Sequence, residues 1–200
     1  MPTGDLCTLS DVQTYLGDAS APAVPILQAL IAQVSDWVEG FCERNFHGIQ
    51  SYTWLTDGHG GDTLPLPNSP VISVTSVIID GVAVTASSGA PAAGYLADER
   101  SVSILGGQFT RGRKNVTISY TAGYTYTFTA GAAPTQDTIV GVPGDLRFAV
   151  IETVALRFKR RNKIGLNSEG NAGQTTSYDN SMAPKDALAI LNIYRKNVPW

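Results

Sequence analysis

The chain has 200 residues, 43% of them hydrophobic and 16% charged, and its formal net charge is −3 at pH 7. This length and apolar content suffice for one core-forming domain with an appended arm, and the near-neutral charge does not require a nucleic-acid or anionic-membrane partner. The two cysteines have neither Cys-x-x-Cys nor zinc spacing, so we expect no disulfide framework and no structural metal. No run of about 18 apolar residues occurs and the start lacks a signal-peptide pattern, so we expect a soluble intracellular protein without a membrane span.

The first predicted element is a short helix that begins with a capping box. The hydroxyl of Thr8 can accept a hydrogen bond from the Asp11 amide, and the Asp11 carboxylate can accept one from the Thr8 amide. We therefore expect a helix over about residues 8–16, ended by Gly17.

A second helix, expected over about residues 25–44, is the clearest periodic element. Its apolar residues recur at steps of three and four and form one broad stripe. Packing on the chain's own domain is the favoured explanation of this stripe, and a contact with a neighbouring subunit is the alternative. The residues expected to serve as this core or intersubunit face are Leu30, Val34, Trp37 and Phe41.

In residues 50–123 the apolar residues recur at every second position, which predicts a central antiparallel β-element. The run from Val71 to Ile79 is rich in β-branched residues and stops at Asp80-Gly81, a strong hairpin signal. Pro65 and Pro67 lack a backbone donor, so their segment is predicted to be an edge strand or an extended connector.

Two groups of basic residues could face nucleic-acid phosphates. Arg111, Arg113 and Lys114 follow a glycine turn, and a second group lies between Arg157 and Lys163. We favour a solvated loop for the first group and a neutralised helix C-terminus for the second. Contact of the first group with DNA in a channel, or with a neighbouring subunit, is the alternative.

The C-terminal third is predicted to contain two helices joined by a polar linker. A helix is expected over about residues 144–163, after a Thr-, Ala- and Gly-rich stretch that is either an extended hairpin or a mobile loop. Residues 165–180 are dense in Gly, Ser, Asn and Thr, which is typical of a flexible linker. Pro184 then opens a short helix with Leu188, Leu191 and Tyr194 on one side.

No motif indicates catalysis or a bound cofactor. His59 lies between Asp57 and Asp62, residue types that a metal or acid–base site would use, but the surrounding glycines are the expected composition of a turn. No nucleophile elbow or phosphate-binding loop occurs. A small hydrolase using His59 with Asp57 or Asp62 remains the alternative from a different functional class.

Four segments resemble the head–tail adaptor, or connector, proteins of tailed bacteriophages. They are LSDVQTYLG at residues 9–17, the helix from Leu27 to Asn45, the strand-and-turn block from Tyr52 to Gly81, and residues 116–124 followed by Val142-Pro143-Gly144-Asp145-Leu146. Their order and spacing cover most of the chain. The resemblance predicts a structural virion protein with no catalysis, no cofactor and no bound metal.

The resemblance also implies partners and a location. Such proteins form a twelve-subunit ring under the portal, extend the DNA channel and join the capsid to a stopper or tail protein. We accordingly expect the protein in the virion neck, and in the host cytoplasm before assembly, with non-specific contact to DNA in the channel. The residues expected to bind the portal are Leu188, Leu191, Tyr194 and Trp200.

The expected architecture is α+β and mainly helical, with amphipathic helices at both ends flanking the β-element. Residues 1–165 are predicted to form the adaptor domain, and residues 166–200 a flexible linker with a C-terminal helical arm. A different neck component, such as a stopper or tail-completion protein, is the second interpretation; those proteins are usually dominated by β-structure.

Overall fold

The structure is a computed structural model that describes residues 4–17, 20–89, 92–162, 168–171, 174–177 and 181–196, without side chains for residues 21 and 168–177. The described residues divide into two compact units. A helical unit combines the chain up to Glu43 with Tyr126–Arg195, and a β unit holds Arg44–Thr125.

Four α-helices build the helical unit in its described part. They are α1 (Leu9–Leu16), α2 (Val24–Cys42), α3 (Gly144–Arg160) and α4 (Lys185–Tyr194). The predicted capping box is present at α1, where Thr8 and Asp11 exchange their two hydrogen bonds, and Gly17 ends the helix in the left-handed conformation. Pro25 occupies the first turn of α2, where its missing N–H costs nothing.

The core of the helical unit lies where α2, α3 and α4 meet. The apolar stripe of α2 supplies Leu27, Ile31, Val34 and Val38, all fully buried. Burial of each such side chain stabilises the fold by about 1.5–3 kcal/mol relative to exposure. Cys42 is a buried thiol at the end of this stripe, and its Sγ donates to the Leu191 carbonyl of α4 at 3.5 Å.

Two antiparallel sheets build the β unit. Their strands are β1 (Ile49–Gly58), β2 (Thr63–Pro65), β3 (Val71–Ile79), β4 (Val82–Val84), β5 (Gly94–Ala97), β6 (Ser101–Leu105) and β7 (Gly112–Gly123). The first sheet has the strand order β1-β7-β3-β4 and the second has the order β2-β6-β5. The Asp80-Gly81 turn joins β3 to β4 as predicted, and Pro65 lies on an edge strand, where no ladder donor is needed.

The alternating pattern of the strands explains the core of the β unit. Val116, Ile118 and Tyr120 of β7 point to one face and are buried, while the residues between them are partly exposed. Phe109 and residues of β2, β3 and β6 complete the same buried cluster. Tyr52 of β1 packs on Tyr120 with ring centroids 5.5 Å apart.

Two further hairpins occupy segments for which the sequence pattern left the structure open or indicated a linker. Strands β8 (Thr127–Thr129) and β9 (Thr138–Val140) pair antiparallel, so the Thr- and Gly-rich stretch before α3 is the extended hairpin rather than the mobile loop. Strands β10 (Ser168–Asn171) and β11 (Gln174–Ser177) also pair. They fall within the range expected to be a flexible linker.

The architecture is α+β, as predicted, but the expectation of a mainly helical chain is not confirmed. The eleven strands of the described residues contain about as many residues as the four helices. Several strands are only three or four residues long, and such short runs carry too few residues to show a period in the sequence.

Candidate interaction surfaces

An open groove of about 520 Å³ lies on the helical unit between α2, α3 and the residues just before α4. Three apolar side chains and three arginines give it an apolar surface with positive charge. We call it the cationic groove. It is lined by Leu30, Gln33, Leu156, Arg157, Arg160, Arg161, Ser181 and Met182.

Arg157 is the least satisfied cation of this groove. Its Nε donates to the Met182 carbonyl at 3.5 Å, and its guanidinium lies 5.3 Å from the ring centroid of Trp37. Its Nη2 is buried and has no hydrogen-bond partner among the residues that the structure describes. Burial lowers the pKa of Arg157 because it disfavours the charged form. The charge of Arg157 is therefore only partly compensated, and it would attract an anion to the groove.

The other two arginines of the groove bind backbone carbonyls. Arg160 Nη1 donates to the Ser181 carbonyl at 3.1 Å, and Arg161 Nη1 donates to the Phe158 carbonyl at 2.7 Å. Arg161 therefore satisfies a carbonyl in the last turn of α3, which agrees with the interpretation of a neutralised helix end. Lys163, the last residue of the predicted basic group, lies outside the described residues.

A second exposed apolar surface lies where α1 meets α3. Tyr15 and Phe148 are 45% and 46% exposed and pack edge to face with centroids 5.7 Å apart. Ile151 borders the same surface, and the Tyr15 hydroxyl donates to Glu152 Oε1 at 3.5 Å. We call Tyr15, Phe148, Ile151 and Glu152 the aromatic ridge. The sequence analysis did not single it out, because its residues come from two helices far apart in the chain.

The four residues predicted on the face of α2 have different surroundings. Val34 is fully buried in the core, whereas Leu30 is half-buried and lines the cationic groove. Trp37 and Phe41 are half-buried and pack together with centroids 5.5 Å apart. Of these four residues, Val34 is thus a core residue and Leu30 lies on an open surface, and the role of the face in contacts between subunits stays a prediction.

The predicted portal-binding residues lie mainly on the inner side of α4. Leu191 is fully buried, and the half-buried Tyr194 donates from its hydroxyl to Asp145 Oδ1 at 2.6 Å. Leu188 is half-buried and Trp200 lies outside the described residues. On the outer side of α4, Ile193 is 74% exposed. The helical spacing of apolar residues in the sequence did not select this residue. Portal binding by the four predicted residues stays a prediction, and for Leu191 it requires α4 to leave this position.

One end of the β unit carries loops that are tied together by Asn115. Its Oδ1 accepts from the Gly58 amide at 2.8 Å, and its Nδ2 donates to Asp80 Oδ1 at 2.9 Å and to the Thr110 carbonyl at 3.0 Å. The Thr110 hydroxyl donates to the other carboxylate oxygen of Asp80. The turn after β1, the β3–β4 turn and the loop before β7 are thus held in one arrangement.

The predicted basic residues are displayed by this tied loop cluster. Arg111, Arg113 and Lys114 are all exposed, and Arg111 Nε donates to the His59 carbonyl at 3.3 Å. Asp57 Oδ1 accepts from the Lys114 amide at 2.6 Å, so this carboxylate stabilises a turn. A structural role therefore accounts for Asp57, which the hydrolase alternative had assigned to catalysis.

No group of three or more His, Cys, Asp or Glu side chains is placed to hold a metal ion within the described ranges. No helix in the part of the chain that the structure describes has the length and apolar character needed to cross a membrane.

Open apolar faces on a well-packed helical unit are typical of proteins that assemble with partners. A family model described as head completion protein matches residues 5–197. The chain therefore belongs to the head completion protein family. Family membership confirms the prediction of a structural, non-enzymatic protein of the phage head–tail neck.

The remaining comparisons, with curated proteins and with solved structures, do not add to this assignment. No curated protein matches the chain. The chain is similar to one in the neck of an empty gene transfer agent particle computed with C6 symmetry, at 20% identity and a TM-score of 0.47, with 100% of this chain and 91% of that chain covered. It is similar to one in the neck of the native particle computed with C12 symmetry, at 22% identity and a TM-score of 0.45, with 100% and 93% covered. Because these TM-scores lie below 0.5, the assignment rests on the family model.

Proposed function

We propose that this protein is the adaptor of a phage neck. It forms a ring of twelve copies, docks on the portal, and joins the portal to a stopper or tail protein. Membership of the head completion family supports the class of protein. The observation that supports docking through the C-terminal helix is the exposed apolar side chain of Ile193 on the outer side of α4.

The C-terminal helix has a buried side and an exposed apolar side. Ala187 and Leu191 are fully buried in the helical unit, which anchors α4. On the other side Ile193 is 74% exposed, whereas the exposed Met182, just before the helix, belongs to the cationic groove. Apolar side chains this exposed lose contact with water when a partner covers them, which favours binding. We therefore assign the outer side of α4 to the portal, together with Leu188 and Tyr194 at its margin.

Portal binding is tested with purified portal rings mixed with this protein. Electron microscopy should show portals capped by an added ring of twelve copies with the native protein, and uncapped portals with Ile193→Asp. Asn192→Asp, an exposed neighbour on α4, is the matched control and should bind normally. Deletion from Met182 onward should also abolish docking, but it removes Leu191 from the core, so the point substitution is the sharper test.

The outcomes of the capping experiment separate the adaptor assignment from the role of α4. Failure of the native protein to cap portals would overturn the adaptor assignment. Capping only of portals that already carry another ring would place the protein further down the neck, as a stopper. Normal capping by Ile193→Asp would overturn the role of α4 and leave the adaptor assignment intact.

We further propose that the tied loop cluster of the β unit faces the DNA channel. Three exposed cations on one rigid loop cluster can contact phosphates without reading sequence. Particles assembled with Arg111→Glu and Arg113→Glu together should retain less DNA after packaging. Arg100→Glu, an exposed residue of the same unit, is the matched control. Unchanged assembly and DNA retention in the double variant would refute the contact.

A further inference from the structure

The helical unit carries two exposed surfaces of opposite character, and the proposed ring requires two such surfaces. We propose that the aromatic ridge of one copy docks into the cationic groove of the next copy. This proposal rests on the proposed self-assembly, and it names the two surfaces that make the contact.

The groove is suited to a partner that is both apolar and anionic. Leu30, Leu156 and Met182 give it an apolar surface, and no acidic side chain among the residues that the structure describes lines it. Arg157, Arg160 and Arg161 also line it and supply its positive charge. A carboxylate brought by a neighbour would pair with these guanidinium groups while apolar side chains cover the rest of the groove.

The ridge supplies both of these groups. Phe148 and Tyr15 present half-exposed rings at an edge-to-face angle of 81°. The Glu152 carboxylate stands beside them, in contact with the Tyr15 hydroxyl. Aromatic rings also bind guanidinium groups favourably through their faces, so Phe148 can pack on the arginines of the groove.

The two surfaces lie on different sides of one helix. Phe148 and Arg157 are nine residues apart on α3, and at about 100° per residue they point in opposite directions. Phe148 packs on α1, and Arg157 packs on Trp37 of α2. A single copy therefore cannot join its own ridge to its own groove, whereas two copies can.

Charge decides which pairing forms. Groove against groove would bring arginines together, and ridge against ridge would bring the Glu152 carboxylates together, so both symmetric pairings are repulsive. Ridge against groove places opposite charges and apolar surfaces together. This pairing uses two different surfaces and repeats from copy to copy, which is the arrangement that generates a closed ring.

Cross-linking between two single-cysteine variants tests the pairing directly. The native Cys7 and Cys42 are buried, so they do not compete. Phe148→Cys mixed with Met182→Cys should give disulfide-linked dimers that contain one chain of each variant, and neither variant alone should cross-link. Phe148→Cys mixed with Asp36→Cys, an exposed residue elsewhere on α2, is the control and should give none.

Charge exchange provides a second readout. In the cross-linking background, Glu152→Arg and Arg160→Glu should each lower the yield roughly tenfold, and both substitutions in one chain should restore it. Absence of cross-links in the mixture, self-linking of either variant, or an unchanged yield in the charge variants would overturn the pairing. Portal capping is scored separately, so its loss with intact cross-linking would refute the adaptor assignment alone.

Discussion

Arg147 and Asp11 form an ion pair that joins α3 to the capping box of α1. The Arg147 Nη2 and Nε atoms lie 2.5 Å and 3.0 Å from Asp11 Oδ2, and Nη1 donates to the Ile139 carbonyl at 3.3 Å. Partial burial raises the pKa of Asp11, but the hydrogen bonds from Thr8 and Arg147 outweigh burial and leave that pKa below its ordinary value. One carboxylate therefore caps a helix and anchors a distant one.

We expect Arg147→Leu to lower the free energy of unfolding by about 1–2 kcal/mol, because the half-buried Asp11 would lose two charged hydrogen bonds. Arg195→Leu is the matched control. Arg195 lies 4.0 Å from Glu43, and both side chains are more than half exposed, so its loss should change stability by less than about 0.5 kcal/mol. Chemical denaturation measures both. Equal losses in the two variants would contradict the special role of Asp11.

The contacts of Asp11 illustrate which kinds of feature could be predicted from the sequence. The capping box of Thr8 and Asp11 was predicted because its two residues are three positions apart and their chemistry is local. The Asp80-Gly81 turn was predicted for the same reason. The ion pair with Arg147 joins residues 136 positions apart, and no local pattern specifies such a contact.

The candidate surfaces were harder to predict than the helices that form them. Leu30, Leu156 and Met182 meet in the cationic groove from three segments, so only the tertiary fold brings them together. The period of α4 indicated an apolar side, but it could not show that Leu191 faces the chain's own core while Ile193 faces outward. A short helix with apolar residues on both sides has no unique amphipathic face.

Two glycines offer a matched pair of substitutions with opposite expected effects. A Cβ on Gly58 would lie 1.9 Å from the Thr110 carbonyl oxygen within the tied loop cluster. Gly40 is exposed on α2, and a Cβ there would meet nothing within 4 Å. We expect Gly58→Ala to destabilise the protein by about 2 kcal/mol through overpacking, and Gly40→Ala to stabilise it by about 0.5–1 kcal/mol through helix propensity.

Thermal unfolding of both glycine variants measures the two effects in one experiment. Limited proteolysis locates the first, because Gly58→Ala should expose the loops that Asn115 holds while leaving the helical unit protected. Native stability in Gly58→Ala would contradict the close backbone approach at that turn.

Asp5 is a buried carboxyl group in the helical unit, and one of its oxygens, Oδ2, has no hydrogen-bond partner within the described ranges. Burial, the largest cause, and the nearby Asp36 and Asp137 carboxylates together raise its pKa to about 6. The backbone around it is well anchored, since its carbonyl accepts from the Tyr126 hydroxyl at 3.0 Å and the next amide donates to Ser35 Oγ at 3.0 Å. The side chain, not the backbone, is the unfavourable group.

A raised pKa in the folded state means that folding favours the protonated acid. The contribution of Asp5 to stability is therefore fully present below pH 4, near its ordinary pKa of 3.8, and is lost as the pH rises through 6. We expect Asp5→Asn, which removes the charge and keeps the shape, to increase the free energy of unfolding at pH 7 by about 1–2 kcal/mol. That gain should shrink towards pH 4.

Asp98→Asn, at an exposed position, is the control and should show no such pH-dependent gain. Urea denaturation from pH 4 to pH 8 makes the comparison, and an Asp5→Asn variant no more stable than the native protein at pH 7 would show that the buried carboxylate carries no penalty.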